Sequence, residues 1–416
     1  MHELVELDRY FKEKRYDETF LEFLSADKGE YSKTYLLKSN DEKLVQLYNI
    51  CIKLYRGSEN QLELCEEQLK LMNRIAESQS NWIIYPLYKV AKQFIEKCKG
   101  DINNLENCGR IVHRSFNLCL NDRNPIQYEN RNAGSYSFAN LEFYIYHKLN
   151  NRDMMKNLVK VLQSRCMDNL ESVRKIEFTG HAVNYFYYLG EYYGCYESDF
   201  KKSFTFLYEA LLHCRHSYYP QVEKILTLLI PFSLIANKWY PNFDYLQGLL
   251  RNTKGTNTPE IITIYKPLVD SFLTGNLSKF NTSFSVNEIY FLKKGVYVAV
   301  YQLKELVLLK FIKKCCLDIK SNNNSIVPLK PIAVIYSKQL ESLRIPTTGN
   351  KKKKKTQSNT PKLTYEEKIN DILDELECAL ANLITKGYIK GYLSHSNRCI
   401  VLSKKDAFPR LARSVA

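Results

Sequence analysis

The stretch Tyr365–Ser403 reads YEEKINDILDELECALANLITKGYIKGYLSHSNRCIVLS, and its period changes partway along. Ile369, Ile372, Leu373, Leu376, Leu380, Leu383 and Ile384 recur every three or four residues, which predicts a long amphipathic helix over Tyr365–Lys386. Gly387 suits the left-handed position that stops a helix. Tyr388–Leu393 then alternates like a strand, His395–Arg398 offers a turn, and Cys399–Ser403 reads as a returning strand. A helix followed by a β-hairpin is how a winged helix ends. Its preceding helix is expected at Leu329–Leu343. Between the two helices, Pro346–Pro361 is polar and Lys-rich and reads as a disordered insertion.

Upstream, the first 285 residues repeat one theme, an amphipathic helix and a short turn. Leu44, Leu47, Tyr48, Cys51 and Tyr55 form one stripe; Leu62, Cys65, Leu69, Met72 and Ala76 form another. Polar breaks fall at Arg56–Asn60, Lys99–Asn104 and Asn121–Ser135, and no comparable β-type alternation is seen in this part. The best-defined pair runs over His181–Arg215. Tyr185, Tyr188, Leu189, Tyr192 and Tyr196 make its first stripe, Glu197-Ser198-Asp199 supply capping side chains, and Phe204, Leu207, Tyr208 and Leu211 make the second. Leu189-Gly190, Tyr193, Ala210 and Pro220 resemble the tetratricopeptide pattern with drifted spacing. One such pair cannot bury its own apolar face, so further pairs must stack on it. Helical patterns continue over Val222–Asn237, Asp244–Arg251, Pro259–Leu273 and Val286–Lys314. The expected fold class is mainly α: a right-handed, tetratricopeptide-like helical solenoid followed by a C-terminal winged helix with a small β-hairpin.

Composition agrees. Only 15 Gly and 12 Pro in 416 residues disfavour an all-β fold, whose turns consume both. Apolar residues are 45% and charged residues 25%, enough for a sizeable core. The 12 cysteines include no C-x-x-C pair, so a disulfide scaffold or zinc ribbon is not expected. Met1–Arg9 is charged and does not read as a signal peptide, and the longest apolar run, Ile225–Ala236, is short for a membrane span. A soluble, reduced, intracellular protein is expected, with no membrane partner.

Catalytic signatures are missing. The sequence holds no phosphate-binding G-x-x-x-x-G-K-[ST], no G-x-G-x-x-G, no H-E-x-x-H, no G-x-S-x-G and no EF-hand loop. His213 and His216 could share a helix face, but no second ligand set accompanies them, so a core or surface role is expected and no metal or cofactor. The chain does not read as an enzyme.

Charge is uneven. Residues 286–416 carry 24 Lys and Arg against 11 Asp and Glu, a net +13 of the chain's +15. Such asymmetry points to an anionic partner. The candidate contacts are Lys293, Lys294, Lys313, Lys314, the run Lys351, Lys352, Lys353, Lys354 and Lys355, and the wing residues Lys390, Arg398, Lys404 and Lys405. The lysine run reads either as a solvated loop or as a nuclear-import or phosphate-contact element. The helix ahead of the wing carries Glu366, Glu367, Asp371, Asp374, Glu375 and Glu377 against Lys368 and Lys386. Its acidic face argues against base readout, so any RNA contact should be weak and without sequence preference.

A helical solenoid leading into a winged helix resembles the PCI domain, the scaffold module of the proteasome lid, the COP9 signalosome, translation initiation factor three and the messenger-RNA export complex. Particular wording carries the resemblance further. Tyr187-Tyr188-Leu189-Gly190-Glu191-Tyr192-Tyr193 with Asp199-Phe200, Leu229-Ile230-Pro231, and Tyr265-Lys266-Pro267-Leu268-Val269 with Gly275-Asn276-Leu277 resemble one PCI branch. Ala381-Asn382-Leu383-Ile384, Lys386 to His395, Leu402 to Lys405 and Phe408-Pro409 are similar to the signature of the signalosome subunit-twelve family and its export-associated sibling. The resemblance spans Phe178–Pro409; residues before it match only as further helices.

The resemblance implies three segments: N-terminal helical repeats over 1–177, the helical part of a PCI domain over 178–325, and its winged-helix part over 326–416 with the insertion at 346–361. It implies a non-catalytic scaffold subunit of a signalosome-like complex that regulates ubiquitin conjugation through cullin deneddylation. The alternative is a PCI subunit of a messenger-RNA export or processing complex. Implied partners are other PCI-domain subunits and a small acidic subunit shared with the proteasome lid, with RNA as a further candidate. The implied location is nucleus and cytoplasm.

Overall fold

An apolar residue at every third or fourth position turns one side of a helix toward its neighbours, and this chain stacks such helices in two compact units. The structure, a computed structural model, describes residues 3–25, 33–57, 59–126, 129–165, 179–236, 239–250, 259–319, 325–341 and 365–409. One unit comprises Met1–Tyr192 with Leu212–Cys214, the other Tyr193–Leu211 with Arg215–Ala416.

The first unit opens with β1 (Glu3–Glu6), α1 (Asp8–Glu13), α2 (Glu18–Ser25) and β2 (Lys33–Leu36). β1 and β2 pair in parallel, Glu3 against Lys33 through Glu6 against Leu36. This ribbon corrects the expectation of helices alone: four residues are too few for strand alternation to stand out in sequence. Then come α3 (Glu42–Tyr55), α4 (Gln61–Ala76), α5 (Ile84–Cys98), α6 (Ile102–Leu120), α7 (Gly134–Lys148), α8 (Arg152–Ser164) and α9 (Thr179–Glu191). Leu47 and Cys51 on α3, and Cys65, Leu69, Met72 and Ala76 on α4, are buried, as their stripes required. Asp41, Asp101 and Asn151 cap α3, α6 and α8 by accepting from backbone N–H groups of the first turn. Each helix from α3 to α8 packs on the next, and α4 meets α6 as α5 meets α7. Contact with both the next helix and the one after it is the packing of a two-layered helical repeat.

The second unit holds α10 (Phe200–His213), whose last residues belong to the first unit, then α11 (Tyr219–Ala236), α12 (Phe243–Leu250) and α13 (Glu260–Thr274). The Asp199 carboxylate accepts from the Lys202 N–H at 3.1 Å, the expected cap of α10. The single pattern read over Val286–Lys314 is three elements: the end of α14 (Leu277–Val286), α15 (Glu288–Lys293) and α16 (Tyr297–Ile319). Gly295, at φ +71°, takes the left-handed turn that breaks it, and the Val296 N–H donates back to the Phe291 carbonyl. The Lys294 and Leu292 side chains fall outside, while Phe291 and Val296 fall inside.

The winged helix closes the unit: β3 (Ile326–Pro328), α17 (Leu329–Glu341), α18 (Tyr365–Thr385), β4 (Gly391–Ser394) and β5 (Cys399–Leu402). The sheet order is β3-β5-β4, both pairings antiparallel. The expected hairpin is present, with its first strand starting at Gly391 rather than Tyr388. β3 is an addition; three residues ending in proline give no periodic signal. Gly387 stops α18 at φ +75°. α17 packs on α14 and α16, so the wing sits on the helical stack of its own unit. The expected insertion at 346–361 lies outside the described residues. No helix among the described residues is long and apolar enough to cross a membrane.

Candidate functional site

The wing is where sequence placed most of the candidate contacts. β5 is its central strand, buried at Cys399, Ile400 and Leu402. β4 is an edge, with Tyr392 exposed on it. An edge strand presents unpaired backbone groups, so β4 can accept a further strand.

Arg398 sits at the end of the hairpin turn with φ +46°. Its guanidinium donates to Asp374 at 2.6 Å and lies 2.9 Å from Glu377. His395 Nδ1 is 2.7 Å from the same Glu377. Glu377, then Asp374, hold the Arg398 guanidinium above its usual range. α17 joins this arrangement: the Tyr336 hydroxyl donates to Glu375 at 3.1 Å. Two carboxylates of α18, Asp374 and Glu377, thus face its own wing, and Arg398 is matched by both.

The lysines are dispersed. Lys293 and Lys294 are exposed beside Gly295, with Lys294 Nζ 5.6 Å from the Tyr290 ring centre. Lys313 and Lys314 lie near the other end of α16, which a rise of 1.5 Å per residue puts about 25–30 Å away. The two pairs cannot make one patch. Lys314 donates to the Thr274 carbonyl at 2.6 Å, and Lys313 lies 5.9 Å from the Phe408 ring centre. Lys390 reaches Asp406 at 3.4 Å, while Lys404 and Lys405 are exposed. Lys351 to Lys355 lie outside the described residues. Of the 24 Lys and Arg in residues 286–416, 14 are described, against all 11 Asp and Glu. Much of the excess charge of this half is therefore carried by residues outside those described.

Two features escaped the sequence reading. Lys310 is half-buried, its Nζ 3.9 Å from the Phe272 ring centre. Burial, then Lys314 and Lys313, push its ammonium down to about 8. The second is a run of exposed apolar side chains, Val286, Ile289, Leu292, Val298 and Tyr301. Eleven of the 16 residues in 286–301 are apolar or aromatic, which is visible in sequence, but periodicity does not say which half faces out. His213, weighed as a metal ligand, instead lies against the Phe186 ring. Among the described residues no three His, Cys, Asp or Glu side chains are grouped to hold a metal.

Comparison with known proteins adds the following. The chain matches the PCI domain family over residues 354–404. It is 38% identical to the Cop9 signalosome complex subunit 12 of Saccharomyces cerevisiae, over 97% of this chain and 99% of that protein. It is 33% identical to the COP9 signalosome complex subunit 12 of Eremothecium gossypii, over 97% of each. The protein of the same name from Kluyveromyces lactis is 31% identical over 89% of each chain.

Proposed function

Because this chain belongs to the COP9 signalosome subunit 12 family of PCI-domain proteins, we propose that it is a non-catalytic scaffold subunit of a signalosome-like complex. Through that complex it regulates ubiquitin conjugation by cullin deneddylation, in the nucleus and the cytoplasm. The observation that carries the reading is near full-length similarity to signalosome subunits, together with a wing in which β4 is, among the described residues, at the edge of its sheet. Helical repeats offer broad faces for other subunits, and β4 offers backbone hydrogen bonds to a neighbouring wing. Other PCI-domain subunits and a small acidic subunit shared with the proteasome lid are the proposed partners. Catalysis belongs to another subunit in this reading.

The RNA-associated alternative draws less support. Arg398 is held by Asp374 and Glu377, Lys390 faces Asp406, and α18 brings carboxylates to the position of a groove-reading helix. Purifying the native complex and identifying its subunits is the test. Recovery of a cullin-demodifying protease supports the signalosome reading; recovery of RNA-processing proteins alone overturns it.

A further inference from the structure

Val286, Ile289, Leu292, Val298 and Tyr301 are 77%, 68%, 57%, 63% and 54% exposed. Such values would be ordinary for lysines; for five apolar side chains within 16 residues they mark a patch that water solvates poorly. The local fold explains how they come together. α15 spends Tyr290 and Phe291 on the core: the Tyr290 hydroxyl is 3.4 Å from that of Thr227, and Phe291 is fully buried. Ile289 and Leu292, three apart, are left on its outer face. After the turn at Gly295, the start of α16 exposes Val298 and Tyr301, again three apart. Phe284, near the end of α14, packs on both: its ring centre is 5.8 Å from that of Phe291, 5.2 Å from that of Tyr297 and 6.2 Å from that of Tyr301. Phe284 thus joins the two helices here, and their exposed apolar side chains offer ridges against which another helix can pack.

The rim sets the sign of what fits. Glu288 is the carboxylate of this run, and the Tyr297 hydroxyl engages it. Lys293 and Lys294 stand exposed at the turn, directly after Leu292. We infer that this face is the docking site for an amphipathic helix of a partner protein, its apolar stripe lying on Val286, Ile289, Leu292, Val298 and Tyr301 and its flanking carboxylates meeting Lys293 and Lys294. The complementarity is apolar in the middle and electrostatic at one end, an arrangement that gives affinity and orientation respectively. This deepens the scaffold reading by naming a surface and the chemistry of what covers it.

Two short synthetic helices with the same leucine stripe, one flanked by glutamates and one by lysines, test it by fluorescence anisotropy against the full-length chain. The glutamate helix should bind and the lysine helix should bind more weakly. Ile289→Glu with Val298→Glu should weaken the glutamate helix at least ~tenfold, because a carboxylate would be buried without a partner. Lys293→Glu with Lys294→Glu should weaken it about fivefold, as expected for two exposed ion pairs, and should strengthen the lysine helix. All four positions are exposed, so thermal melting should be unchanged and a loss of binding is not a loss of fold. Equal binding of the two helices, or binding indifferent to the apolar substitutions, overturns the inference. So does a concentration-dependent dimer in sedimentation that Val298→Glu dissolves, since the occupant would then be a second copy of this chain. The titration needs no native complex, so its failure removes this docking face while the scaffold reading stands or falls on the purification of the complex.

Discussion

Replacing Gly391 by alanine should loosen the wing, and the size of the effect follows from the strand geometry. Gly391 starts β4 opposite Leu402 of β5. A Cβ built there would strike the Val401 carbonyl oxygen and stand 3.2 Å from the Val401 carbonyl carbon and 3.3 Å from Leu402 Cα. Ordinary contact between carbons needs ~3.5–4.0 Å. The obstacle is backbone, so no side chain can rotate away; β4 must lift from β5. Overpacking of this kind costs about 1–3 kcal/mol. At ~2–4 °C per kcal/mol for a unit of this size, the melting temperature should fall by about 3–10 °C. The adjoining hydrogen bonds should report the same event. Ser403 N–H donates to the Lys390 carbonyl at 2.8 Å, and Lys390 N–H to the Ala407 carbonyl at 2.9 Å. Hydrogen exchange of the Ser403 and Lys390 amides should accelerate in the variant, while that of buried helices in residues 1–192 stays unchanged. Calorimetry and exchange mass spectrometry on the full chain decide it. A melting temperature within a degree of the parent, with unchanged exchange at Ser403, would show that the strands do not approach this closely.

Two pH effects follow from buried groups. His113 Nδ1 lies 3.1 Å from Glu142, which raises the imidazole, while burial raises the Glu142 carboxyl. Both folded values exceed the unfolded ones, so the stability they contribute is fully present at low pH and fades as pH rises through them; melting temperature should fall with rising pH in the parent and less steeply in Glu142→Gln. Lys310 has the opposite sign. Its folded value, pushed down to about 8 by burial, is below that of the unfolded chain, so stability should rise as pH goes from about 8 to about 10.5. Lys310→Met should abolish that rise, and acylation at about pH 8 with a small amine-reactive reagent should mark Lys310 ahead of exposed lysines.

Much of the fold could be read in advance because one-sided helices leave a periodic trace. The stripes at Leu47–Cys51, Cys65–Ala76 and Ile369–Leu383, the cap at Asp199 and the stop at Gly387 are local statements, and each has its counterpart in the structure. Short strands left no such trace: β1 and β2 are four residues each, and β3 is three. The continuous helix read over Val286–Lys314 failed for a different reason. Its apolar residues sit on two faces, one packed and one exposed, so a helical pattern survives the break at Gly295. The same double-sidedness hid the apolar patch.

Charge shows the deeper limit. A lysine or arginine is visible in sequence, but whether it is spent is decided by residues far along the chain. Arg398 is matched by Asp374 and Glu377, more than twenty residues earlier, and Lys390 by Asp406. Counting charges over residues 286–416 marks a strongly basic half, but among the described residues Arg398 and Lys390 are already opposed by carboxylates. The two results favour different chemistry. An evenly basic fold would draw phosphate along its length, with affinity set by counterion release. A wing whose Arg398 and Lys390 face carboxylates, with β4 at the edge of its sheet and an apolar face at Val286–Tyr301, gains more by covering backbone and hydrocarbon than by neutralising phosphate through those two residues. Salt is then the discriminating variable: a helix docked on the Val286–Tyr301 face should depend on salt through Lys293 and Lys294, with a slope far shallower than thirteen phosphate contacts would give.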